Sequence, residues 1–194
     1  MKVQLLAIMP EPEALIARCA RVSHRSEGTG PESDRKLIHR LIELGHDSVL
    51  EHAVATFEIT GISRACANQL TRHRLASFVQ ESQRYVDVRD RTLVRPPSFS
   101  EDDWKKASRL CADAITLYEH LVARGVPKED ARFVVPIGAE TQLVLTANFR
   151  ELRHILRLRL TRSAQWEIRE LARQMLRILL EHAPSVFGDL GGTP

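Results

Sequence analysis

The chain has 194 residues, 43% apolar and 27% charged, which is enough for one domain with a sizeable core and ordinary for a globular protein. No apolar run approaches the roughly 20 residues that span a bilayer. The opening MKVQLLAIMPEPEALIARCA is broken by Pro10, Glu11, Pro12 and Glu13 and is not built as a signal peptide, so the expectation is a cytoplasmic protein with no membrane partner. The formal charge is only +3, yet lysine occurs just five times among 28 bases. The other 23 are arginines, whose planar fork grips phosphates and carboxylates; a genome-wide arginine bias explains that composition equally well.

KVQLLAI reads as a first strand and residues 12–21 as a short helix. SEGTGPES (26–33) is a loop, followed by a helix over Asp34–Leu44 with Ser33 as its cap and Gly45 as its stop. HAVATFEIT (52–60) is a strand, and SRACANQLTRHR (63–74), after Gly61, suits a helix. Ser100 can cap a long helix running to about Arg124 and ended by Gly125. PKEDARFVV (127–135) starts a short helix with proline in its first turn. TQLVLTAN (141–148) is a strand, helices follow over 149–160 and 164–183, and GDLGGTP (188–194) reads as a frayed tail. Helix-rich and without a βαβ rhythm, the pattern predicts an α+β fold of mixed helix and sheet in one domain spanning 1–194. There is no glycine-rich phosphate loop, so any nucleotide must be held by side chains and helix ends. Cys19, Cys66 and Cys111 are far apart and odd in number, and fit reduced, buried thiols, Cys66 as core filler.

Three groups of residues can carry chemistry. In RHRLASFVQESQRY (72–85), Arg72, His73 and Arg74 are consecutive, with Ser77, Gln80, Ser82 and Arg84 close behind. Charges this dense repel unless they face solvent or share an anion; a solvated basic turn and an anion site both satisfy the pattern. On helix 149–160, Arg159 falls on the same face as Leu152, Ile155 and Leu156, so it points inward and needs a buried acceptor, either a carboxylate or an anionic ligand. Arg150, His154 and Arg157 share a neighbouring face, and Asn148 with Glu151 forms a capping pair. In GHDSVLEH (45–52), His46, Asp47, Ser48, Glu51 and His52 match no familiar metal spacing, and Asp47 and Ser48 read as loop caps; no metal is expected.

Residues 72–85 resemble the signature of the flavin-dependent thymidylate synthases: Arg-His-Arg, then a serine, then Arg, here Arg72-His73-Arg74, Ser82, Arg84 and Tyr85. The resemblance extends through GHDSVLEH (45–52), KEDARFVVP (128–136), TANFRELRHILRLR (146–159) and SAQWEIRELA (163–172). It implies a homotetramer with active sites shared between subunits. The implied reaction makes dTMP from dUMP with FAD, NADPH and methylenetetrahydrofolate, and releases tetrahydrofolate. Carried over residue by residue, Gln69, Leu70, Thr71, Arg72, Gln80, Glu81, Ser82, Gln83, Arg84 and Arg132 would hold dUMP, Arg132 from another subunit. Ser48, Arg72, His73, Arg74, Gln80, Asn148, Arg150 and His154 would contact FAD. Arg159 would lie against the uracil as the catalytic cation. The chain departs from the pattern at Val79-Gln80, where Asn-Glu is frequent, at His154, where Asn is common, and at Ser163, where His is common. Gln80 can hydrogen-bond but cannot serve as a carboxylate base. Two other classes compete. A nucleic-acid binder fits the pI of about 9.0, although 25 acidic residues are interspersed and no nucleic-acid partner is expected. A phosphatase using His73 as nucleophile lacks the Arg-His-Gly that opens the histidine phosphatases.

Overall fold

The computed structural model describes residues 1–88 and 91–191. The chain is α+β. Strand β1 (Lys2–Ile8) leads into α1 (Pro12–Val22) and α2 (Pro31–Glu43), then a 3-10 turn over Asp47–His52. Strand β2 (Val54–Ser63), α3 (Arg64–Leu70), β3 (Ser77–Gln80) and the long α4 (Glu101–Ala123) follow. After α5 (Lys128–Ala131) and a 3-10 turn over Arg132–Val134 come β4 (Glu140–Asn148), α6 (Phe149–Arg159), α7 (Trp166–His182) and α8 (Pro184–Phe187). The strands form one sheet in the order β1-β2-β4-β3. The end of β1 meets the start of β2 (Met9 N–H to Val54 C=O, 3.0 Å), and the residue after β4 meets the residue before β2 (Phe149 N–H to Ala53 C=O, 2.9 Å), so both pairings are antiparallel. Among the described residues, no helix is long and apolar enough to cross a membrane.

By contact density the chain divides into two compact units: Met1–Lys2 with Ile59–Gln69 and Val79–Leu143, and Val3–Glu58 with Leu70–Phe78 and Val144–Pro194. In the first, Cys111, Ile115 and Tyr118 of α4 form a core with Val88 and Ala131. Its long helix starts where the sequence places it. Ser100 Oγ accepts from Asp103 N–H at 3.1 Å, and the Asp103 carboxylate accepts the Ser100 N–H in return, a capping box. In the second unit, Leu152, Ile155 and Leu156 of α6 and Ile168, Leu171, Met175 and Leu179 of α7 are buried against one another on 3.6-residue stripes.

The sequence reading is corrected at four places. Helix α2 begins at Pro31, behind Gly30, because proline is accommodated at the first helical position. Ser33 is therefore inside the helix, where its hydroxyl accepts from Arg21 Nη2 at 3.0 Å instead of capping. Gly61 does not end β2: at φ +67, with Met1 packed where a Cβ would stand, it lets the strand continue to Ser63. The helix expected over 63–74 stops at Leu70, and the next residues turn, with His73 N–H bonded to Leu70 C=O and Ala76 N–H to His73 C=O, both at 3.1 Å. Finally, residues 188–190 are not frayed. They form a 3-10 turn that carries Asp189 onto Arg153, while 192–194 of that expected tail lie outside the described residues.

Candidate active site

The second unit contains a cavity of about 970 Å³. The turn after α3 supplies Arg72, His73, Arg74 and Leu75 to its wall. Helix α6 supplies Asn148 at its cap and Arg150, Glu151, Arg153, His154, Arg157, Leu158 and Arg159 along its length. The Asp47–His52 turn adds Asp47 and Glu51. Among the described residues six arginines and three carboxylates line the cavity; Arg153 is turned to Asp189 and Arg150 to Glu51, and Arg72, Arg74, Arg157 and Arg159 leave the lining positively charged. The spacing explains how one short helix contributes so much. Residues 150, 154 and 157 recur at +4 and +3 along one stripe, while 152, 155 and 156 are the stripe buried in the core.

His73 sits at the centre. Its flanking arginines are exposed, but its own ring is buried, edge-on to His154 with ring centroids 5.7 Å apart. Arg159 Nε donates to His73 Nε2 at 3.0 Å. On the other side, Glu151 Oε1 lies 3.6 Å from Nδ1. Burial, reinforced by the charges of Arg159 and His154, lowers the His73 pKa to about 4, so the ring is neutral at neutral pH. Burial also raises the Glu151 carboxyl. The helix N-terminus in which Glu151 sits favours its ionised form. Its N–H donates to Asn148 Oδ1 at 2.9 Å, the capping contact expected from sequence, and its side chain is turned to His73. Arg150 is engaged by Glu51 at 2.5 Å, and that hydrogen bond and charge raise the guanidinium further.

A stability consequence follows with a definite sign. Because His73 has a folded pKa of about 4 against an ordinary 6.5, the unfolded chain binds its proton first as the solution is acidified. The stabilisation from keeping it neutral is complete above 6.5 and lost as pH falls toward about 4, on the order of 3 kcal/mol. Glu151 acts oppositely, since its raised carboxyl stabilises below its ordinary 4.5 and loses that as pH rises. Urea titrations across this range are expected to show a flatter acid limb in His73→Gln than in the parent chain.

The residues predicted from sequence fall into two groups, each within its own unit. Arg72, His73, Arg74, Asn148, Arg150, His154 and Arg159 are brought together around the cavity. Ser48 is exposed on the Asp47–His52 turn next to Asp47, which lines it. Leu70 is buried in the core of that unit, and Thr71 is half-buried at the start of the turn. In the first unit, Arg84 pairs with Glu129 at 2.6 Å, and Arg132 Nε donates to the carbonyl of that same Glu129 at 3.0 Å. Ser82 Oγ accepts the Arg84 N–H at 3.3 Å, and Gln80 Nε2 donates to Thr141 Oγ1 at 3.4 Å. Glu81 is committed inside the protein, its carboxylate to Arg91 and its N–H to Gln142 C=O. Gln83 is buried, and Gln69 Nε2 reaches back to Ala65 C=O at 3.5 Å. Sequence reasoning missed Glu151 as the partner of His73 and Glu129 as the meeting point of Arg84 and Arg132. Helical phase carried a signal for Glu151, which lies four residues before the buried Ile155 and so shares its face. Cys66 and Cys111 are buried as expected of core thiols, whereas Cys19, expected to be buried as well, is half-buried on α1.

A cavity of about 970 Å³ lined by guanidinium groups around a neutral imidazole has the charge and the volume that suit an anionic ligand. Comparison with known proteins narrows this. The family model described as thymidylate synthase complementing protein matches residues 4–185. A flavin-dependent thymidylate synthase of Geobacter sulfurreducens is 45% identical over 205 residues, covering 98% of this chain and 87% of the relative. Proteins of the same name from Pyrococcus furiosus and Halobacterium salinarum are 40% and 36% identical, covering 90% and 96% of this chain and 77% and 94% of their own. The chain belongs to the flavin-dependent thymidylate synthase family.

Proposed function

We propose that this chain methylates dUMP to dTMP, with methylenetetrahydrofolate as carbon donor, FAD as resident cofactor and NADPH as reductant, releasing tetrahydrofolate. The observation that carries this reading is the cavity where Arg72, Arg74, Arg150 and Arg159 converge around neutral His73 in a member of this family. The donor set fits FAD: guanidinium forks suit a pyrophosphate, and the Asn148 and His154 side chains add polar contacts beside them. When bound, the flavin supplies the hydride that completes the methyl group.

The chain's own residues bind, orient and stabilise charge. Arg72, Arg74 and Arg150 with Asn148 and His154 hold the cofactor, and Ser48 adds a hydroxyl at the rim. On the family resemblance, Gln80, Ser82, Arg84 and Arg132 hold dUMP, with Gln69, Leu70, Thr71, Arg72, Glu81 and Gln83 among the residues assigned to the same substrate. Arg132 acts from a neighbouring subunit of a homotetramer. Arg84 pairs with the Glu129 carboxylate, and a phosphate dianion is a stronger partner for that guanidinium. Carbon transfer at uracil C5 requires electron density in the C5–C6 bond. Arg159 beside the pyrimidine stabilises the negative charge that the ring acquires, as oxyanion-hole donors do. Ser82, whose hydroxyl is held at the Arg84 N–H, orients substrate.

The test is anaerobic. Purified protein with FAD, NADPH and dUMP is expected to bleach the blue flavin band faster than without dUMP, and to yield dTMP once methylenetetrahydrofolate is added. A folded protein that binds flavin but forms no dTMP under these conditions would overturn the reading.

A further inference from the structure

We propose that Glu151 is a positioning residue of the active site, which holds His73 as the Nδ1–H tautomer so that Nε2 accepts from Arg159 and fixes the plane of that guanidinium. A guanidinium has five N–H donors and no acceptor. The Arg159 Nε–H bond to His73 Nε2, at 3.0 Å, therefore demands that Nε2 carry no proton. The proton of the neutral ring is then on Nδ1, and the group facing Nδ1 is the Glu151 carboxylate at 3.6 Å. An ionised carboxylate only accepts, so it selects the same tautomer that Arg159 selects from the opposite side. The two contacts agree on one protonation state. At 3.6 Å the Glu151 contact is longer than a hydrogen bond and closes with a shift of a few tenths of an ångström, as catalytic contacts do when ligand fills a site.

The carboxylate is well placed for this task. The Glu151 and His73 side chains are each only 4% exposed, so water does not compete for either. Glu151 and Arg159 lie on one helix, α6, which fixes the distance between them, and the His73 ring is the wedge that links them. A cation without such a clamp swings on a flexible side chain; one held through Nε presents its fork in one plane.

The experiment has two arms, and only the kinetic one rests on the proposed reaction. Nitrogen-15 NMR of histidine-labelled protein, with the His73 signals assigned by their loss in His73→Gln, reads the tautomer directly. The parent chain is expected to show Nδ1 protonated and Nε2 bare. Glu151→Gln, which retains an acceptor oxygen, keeps that pattern, and Glu151→Leu, of similar volume, adds the Nε2–H form. In dTMP formation, Glu151→Leu is expected to lower kcat about tenfold with KM for dUMP little changed, and Glu151→Gln to recover most of it. A parent His73 protonated on Nε2, or an unchanged tautomer in Glu151→Leu, overturns the proposal. Absence of dTMP from the parent chain would instead strike at the proposed reaction, and the NMR arm would still decide the role of Glu151.

Discussion

Arg159→Ala is expected to lower the rate of dTMP formation by about 10²–10³, the loss seen when one preorganised donor is removed from a developing negative charge. The protein should remain folded and continue to bind flavin. Structurally, Arg159 contributes a cation in the last turn of α6, which favours the helix by roughly 0.3–1 kcal/mol. Its loss also leaves His73 Nε2 without its 3.0 Å donor. Neither change unfolds a domain, so the effect belongs in chemistry and not in stability. Arg159→Lys separates two contributions. Lysine restores charge but has no planar fork and no Nε–H at the same depth. An intermediate rate in Arg159→Lys would assign part of the effect to geometry and part to charge. Single-turnover conversion of dUMP, with flavin binding followed by absorbance, distinguishes these cases. Parent-like turnover in Arg159→Ala removes the residue from the reaction.

Arg159 also shows what could be read without coordinates. Its inward direction follows from helix phase, because Leu152, Ile155 and Leu156 define the buried stripe and 159 recurs on it. Its partner could not be read that way. His73 is 86 residues away in sequence and reaches Arg159 only because the chain turns at Leu70. That turn was hidden: residues 63–74 have helix-compatible composition, and the tertiary pull on His73, buried between Glu151 and Arg159, overrides local propensity. The four-residue strand β3 was lost for a related reason. Only Phe78 and Val79 in it favour a strand, and its place is set by pairing next to β4. Long periodic elements such as α4, α6 and α7 were legible because their caps and stripes are local. Ser100 and Asn148 both cap as read. Arg153 was missed entirely, because an arginine within FRELRHILRLR gives no sign that its acceptor lies in a seemingly frayed tail.

That acceptor carries the largest expected effect on stability. Arg153 is 1% exposed, and its two terminal nitrogens meet the two carboxylate oxygens of Asp189 at 2.6 Å each, a bidentate pair. Nη1 also donates to the carbonyl of Val186. Asp189→Ala leaves a buried guanidinium with a single neutral acceptor; because the carboxylate side of the pair is half exposed and water offsets part of the loss, the fold is expected to be destabilised by about 1–3 kcal/mol. The midpoint of urea unfolding should fall with an unchanged slope, the signature of lost stability in an otherwise intact native state. Replacing both partners by apolar residues, Arg153→Met with Asp189→Leu, should recover most of that loss, because no buried charge remains unpaired. The pH dependence has its own sign. Burial alone would raise the Asp189 carboxyl, but the hydrogen bond and charge of Arg153, with Arg157 behind it, hold it below its ordinary 3.8. Its stabilisation is therefore present above 3.8 and lost as pH falls through the depressed value, so Asp189→Ala should also remove that part of the acid limb. The consequence reaches the active site because Arg153 belongs to α6. Pinning this one residue from the Gly188–Leu190 turn fixes the rotation of the helix, and with it the direction in which Arg150, His154, Arg157 and Arg159 enter the cavity. An Asp189→Ala protein held folded at low temperature should thus lose dTMP formation beyond its loss of folded protein, whereas the double apolar replacement, which repacks the same contact, should restore both together.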